Sequence, residues 1–85
     1  MPGTLTVKNH STFLKQNPTV QAQALPASDK SEVKANQKIP FSYIEFAEYK
    51  GQPFQKHLHV TVHCDPPINS KQTWFLYVDD ISKIE

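Results

Sequence analysis

The stretch "HLHVTVHCD", residues 57–65, puts three histidines, a cysteine and an aspartate within nine positions, and its reading decides the fold. Side chains alternate across a β-strand, so Leu58, Val60, Val62 and Cys64 face one way while His57, His59, Thr61 and His63 face the other. The first set is an unbroken apolar stripe, which makes this a half-buried strand with its histidines expected on the polar, solvent-facing side. At ~3.3 Å per residue His57 and His59 lie ~6.6 Å apart along the strand, and His63 ~13 Å beyond His59. One tetrahedral metal site cannot take all three, and a third ligand would have to come from Glu45, Glu48, Asp79 or Asp80 on a neighbouring strand. The expectation is a decorated strand face, with weak metal binding by His57 and His59 as a third-ranked alternative and no cofactor.

Outward from this strand the same period of two persists. Strands are expected at 5–8, 12–15, 31–34, 39–49, 56–63, 73–78 and 82–85, with seven prolines and two glycines spread along the chain. "KGQP" at 50–53 is a turn signal, so 39–49 and 56–63 should form a hairpin. "CDPPINSKQ" at 64–72 reads as a loop whose two prolines cannot donate to a ladder. "QNPTVQAQALPASD" at 16–29 is too long for a hairpin turn and reads as an excursion over one end of a barrel. The strand at 39–49 changes its pattern midway, with Phe41, Tyr43 and Glu45 alternating against Ser42, Ile44 and Phe46, which calls for a bend or a switch of faces. Trp74, Leu76 and Val78 are the expected core set of their strand, leaving Phe75 and Tyr77 outside or under a loop. The expected organisation is all-β, with residues 1–10 as an extension or extra strand and 11–85 as one small barrel.

Composition narrows the chemistry. Eighty-five residues leave room for one modest core and no large enclosed active site. Nine lysines, no arginine and eight acidic residues give a net charge of +1, without the basic footprint or the bidentate guanidinium contacts that nucleic acid calls for. No stretch approaches the ~20 apolar residues of a membrane span, and the amino terminus lacks a leader pattern. The expectation is a soluble chain that a longer exported protein could contain. Cys64 is the single cysteine, so no internal disulfide forms. His63 and Cys64 point to opposite faces, which is wrong for proton transfer between them, and a core-facing thiol is expected. Asp79 and Asp80 read as a turn bonding local backbone amides. With no phosphate loop, nucleophile elbow or metalloprotease motif, no enzyme is expected.

Three segments in fixed order carry a resemblance. Thr12, Phe13, Leu14 and Lys15 open the pattern, Leu25, Pro26, Ser28 and Lys30 continue it, and Thr73, Trp74, Phe75 and Tyr77 form an aromatic strand near its end. Over residues 11–85 this order resembles the bacterial Src-homology-3-like domains of cyanobacterial modular proteins, where they accompany peptidoglycan hydrolases. The resemblance implies a five- to six-stranded barrel with a non-catalytic targeting or docking role. Asn36 stands where the pattern usually has glycine, and asparagine also tolerates positive φ. Gln72 and the "VDDISKIE" ending depart further, so no binding residue is carried over.

Exposed aromatic side chains near a long loop suit a shallow peptide or glycan groove. Tyr43, Tyr49, Phe54 and Tyr77 are the candidates for it. The expected partner is cell-wall glycan or peptide, with docking to a partner protein domain as the alternative.

Overall fold

The structure is a computed structural model that describes residues 3–49, 52–53 and 59–85, the side chains of 48, 49, 52 and 53 excepted. The strands are β1 (Gly3–Val7), β2 (Thr12–Lys15), β3 (Lys30–Val33), β4 (Lys38–Phe46), β5 (Glu48–Tyr49), β6 (Gln52–Pro53), β7 (His59–Ile68), β8 (Lys71–Tyr77) and β9 (Ile81–Ile84). Seven of them form one antiparallel sheet in the order β3-β2-β8-β7-β4-β1-β9, and β5 pairs only with β6. Short 3-10 turns at Ala22–Ala24, Ala27–Asp29 and Val78–Asp80 are the helical content of the described residues, none of which forms a helix long and apolar enough to cross a membrane.

The sheet has one core. Leu5, Val7, Leu14, Val33, Ile39, Phe41, Val60, Val62, Cys64, Trp74 and Leu76 form a single buried cluster, with Ile44, Ile68, Val78 and Ile81 packed against it. Every strand of the large sheet but β9 contributes to that cluster, and β9 packs Ile81 against it. Leu5, Leu14, Val62, Trp74 and Leu76 on this one face are fully buried against one another, which a flat single sheet cannot achieve. The sheet therefore curls around its own apolar face. Among the described residues no ladder joins the edge strands β3 and β9, and the sheet has seven strands instead of the five or six expected.

β4 makes the predicted change of face through a bulge. Phe41 pairs with Cys64 and Tyr43 with His63, so Ser42 is an extra residue, and its hydroxyl donates to the His63 carbonyl at 3.2 Å. Before the bulge Ile39 and Phe41 point into the core; after it Ile44 and Phe46 hold that face. One inserted residue moves the alternation by one position. The β4–β7 hairpin forms as expected, and the β5–β6 pairing flanks positions 50–51.

The stretch 64–72 differs from the expected loop. β7 runs on to Ile68, and a two-residue turn at Asn69 and Ser70, both with positive φ (50° and 64°), leads into β8. Four residues of β7, Cys64 to Pro67, lie between the pairs His63–Thr73 and Ile68–Lys71, while β8 has only Gln72 there. The two prolines occupy this bulge, where no ladder donor is required. β8 thus begins two residues earlier than expected, and the indole of Trp74 donates to the Lys71 carbonyl at 3.1 Å while remaining fully buried. Asn36, at φ 62°, takes the left-handed position inferred for it. β1 lies between β4 and β9, and a Cβ on Gly3 would run into the carbonyl oxygen of Glu85.

Candidate binding cleft

The other face of the sheet is built from the residues between the core positions. Register aligns Lys15 of β2, Phe75 of β8, Thr61 of β7 and Glu45 of β4 in one row, with Tyr77 and His59 in the row on one side and Thr73, His63 and Tyr43 on the other. This face is not the open polar surface expected of it. His59 and Thr61 are each only 7% exposed, although Val60, Val62 and Cys64 fill the core as predicted. β7 is buried on both sides at this end, because the 16–25 segment lies over the sheet.

The covering segment is held by lysines and amides. Lys15 Nζ donates to the Val20 carbonyl and Lys30 Nζ to the Ala22 carbonyl, each at 3.0 Å. Gln16 Nε2 donates to the Thr73 carbonyl at 2.7 Å, and Asn17 Oδ1 accepts from both the backbone and the hydroxyl of Thr19. Pro18 is buried beneath. Between segment and sheet lies a cleft of about 470 Å³ with Phe13, Lys15, His59, Tyr77, Thr12 and Asp80 among its walls. That volume lies in the range of pockets for small organic ligands.

Asp80 reaches the cleft through the turn after β8. Its carboxylate accepts from the Thr12 hydroxyl at 2.6 Å and contacts His10 Nε2 at 2.8 Å. The two aspartates do form a turn, but their partners differ from the backbone amides expected. Asp80 binds side chains about seventy positions away, and Asp79 bonds the Tyr77 phenol. The Thr12–Asp80 bond ties β2 to the turn after β8 at the cleft mouth.

Burial sets the protonation states. Desolvation lowers the Lys15 ammonium below its usual range, and the field of Asp80 partly opposes that. His59 falls to about 4, first through desolvation and then through the Lys15 charge, so its imidazole is neutral near pH 7. The Tyr77 phenol is pushed up by its bond to Asp79 and keeps its proton. On the core side, burial raises the Cys64 thiol to about 11 and makes it a poor nucleophile. Thr12 donates to the Asp80 carboxylate and not to a histidine, and His10 meets the other oxygen of the same carboxylate.

The sequence-predicted site residues are distributed differently. Tyr77 lines the cleft and its ring lies 5.6 Å from that of His59. Tyr43 is 47% exposed, packs edge-on against His63 at 5.2 Å, and lies two rows away, outside the cleft. Tyr49 is in β5 with its side chain undescribed, and Phe54 and His57 lie outside the described residues. His59, expected on a solvent-facing strand and only as a third-ranked alternative a weak metal ligand, lines the cleft; among the described residues no group of three or more metal-ligating side chains occurs. Lys15, Phe13, Thr12 and Asp80 were missed as a group. Alternation about Leu14 already places Phe13 and Lys15 off the core, and the length of 16–29 already indicates a covering segment.

A second depression of about 500 Å³ opens at another end of the core, among Ile44, Phe46, Val60, Val78 and Ile84. Phe46 and Ile84 are largely exposed there. No family model, curated protein or solved structure matches this chain.

Proposed function

We propose that this chain is a non-catalytic binding module, a small barrel of the bacterial Src-homology-3-like kind, that directs a larger bacterial protein to a cell-wall substrate through the cleft beneath the 16–25 segment. The observation that carries this reading is the cleft itself: an aromatic floor and two charged walls held in place by a fixed covering segment. Phe13 and Tyr77 provide flat contact area at low entropic cost, while Lys15, Thr12 and Asp80 provide the few placed polar groups that fix orientation. Curling of the seven-stranded sheet around one core supports the barrel class.

Co-sedimentation with purified bacterial walls tests the reading. The wild-type chain is expected to pellet with walls and release no soluble fragments, and Lys15→Gln or Tyr77→Ala to remain in the supernatant while still folded. A chain that stays soluble in the presence of walls, or that solubilises them, would overturn it. Docking to a partner protein is the second reading, favoured by the exposed Phe46 and Ile84 beside the apolar depression.

A further inference from the structure

Lys15 and Asp80 line the same cleft, yet no ion pair joins them. Opposite charges sharing a partly dehydrated space would gain from direct contact, but here each is held by other groups. The Lys15 ammonium gives one of its three donors to the Val20 carbonyl. Asp80 uses acceptor positions for Thr12 and His10, and a carboxylate has about four. Both charges therefore keep bonding capacity, set apart across a gap.

Resting on the binding reading above, we propose that the cleft takes a zwitterionic ligand, a free α-amino acid or a short peptide with both ends free, with its carboxylate on Lys15, its ammonium on Asp80 and its side chain against Phe13 and Tyr77. A simple anion would meet Asp80, and a simple cation would meet Lys15. A neutral sugar would bring no carboxylate to the desolvated ammonium of Lys15, which then has only the field of the more distant Asp80. Only a ligand carrying both signs satisfies both walls. The His59 imidazole, neutral near pH 7, adds no third charge to the floor.

The test needs no change to the protein at first. Alanine, L-alanyl-L-alanine, its N-acetyl form and its C-amide form are titrated into the full chain while the amides of residues 12–22, 59–61 and 77–80 are followed. The free dipeptide is expected to shift these amides saturably, and each single block to weaken binding about tenfold, the size of one charge-assisted hydrogen bond. Lys15→Gln is expected to abolish discrimination against the amide, and Asp80→Asn discrimination against the acetyl form. If Asp80→Asn fails to fold, the Lys15 variant and the blocked ligands still decide. Alanine as tight as the dipeptide assigns the site to free amino acids, and weaker alanine assigns it to short peptides with both ends free. Blocked forms within about threefold of the free dipeptide, or no shift with any of the four, overturn the proposal.

Soluble wall fragments titrated in parallel separate the two ideas. If fragments shift the cleft while end-blocking has no effect, the zwitterion proposal fails and wall binding stands. If the dipeptide binds and fragments do not, wall targeting fails and the amino-acid site stands.

Discussion

The two faces of β7 are neighbours on one backbone and are buried by different means. Val60, Val62 and Cys64 are enclosed by strands of their own sheet, through the curl that brings β1, β2 and β8 around them. His59 and Thr61 lie on the side of the covering segment, which leaves a cavity of about 470 Å³ beside His59. Apolar transfer stabilises the first face with little left to rearrange. Lysine and amide contacts to loop carbonyls hold the second, and polar side chains there retain unused bonding capacity. Equal burial thus conceals a difference in purpose: one face holds the fold together, and the other is organised around a space.

Substitutions on each face should separate these roles. Trp74→Ala removes the largest fully buried side chain and should cost about 3–5 kcal/mol in denaturant titration, comparable with the stability of a small domain. Tyr77→Ala should cost less than half of that and act mainly on binding; equal costs would erase the distinction between the faces. Acid provides the next largest effect. The His59 pKa is lowered from 6.5 to about 4 in the folded state, so the unfolded chain binds the extra proton between those values and stability falls as pH drops through that window. The loss should approach about 3 kcal/mol, and His59→Gln should flatten the wild-type curve between pH 6.5 and about 4. An unchanged acid limb would mean that the imidazole is not dehydrated.

Thr12→Val should cost about 1–3 kcal/mol by removing a donor from Asp80. Combined with Asp80→Asn, it should show non-additivity in a double-mutant cycle, since the two side chains act as one link between β2 and β8. The smallest effect belongs to the turn that serves both faces equally. Ser70 holds φ 64°, and Ser70→Gly should gain about 0.5–1 kcal/mol in thermal melts without altering ligand binding.

The core face was legible because alternation is local. Leu14, Val60, Val62, Cys64, Trp74 and Leu76 all occupy the side that period two assigns to them, and the change of pattern in β4 announced a switch of faces, which the bulge at Ser42 makes. The cleft was less legible because its covering is not local. Alternation says only that His59 and Thr61 oppose Val60; whether that side meets water depends on where residues 16–25 travel. The carboxylate of Asp80 was hidden for the same reason, its partners His10 and Thr12 lying almost the full chain away. The loop expected at 64–72 failed for a different cause. Two prolines signal an interrupted ladder, and the interruption is a bulge within a continuing strand, with the reversal placed at the Asn69 and Ser70 pair beyond it.

The most direct measurement is an amide chemical-shift map of the chain titrated with soluble peptidoglycan fragments. The account predicts saturable shifts confined to residues 12–22, 59–61 and 77–80, with the core amides of Leu5, Val33 and Trp74 unmoved. Shifts concentrated instead around Phe46 and Ile84, or none at saturating fragment, would contradict a wall-binding cleft on the second face of the sheet.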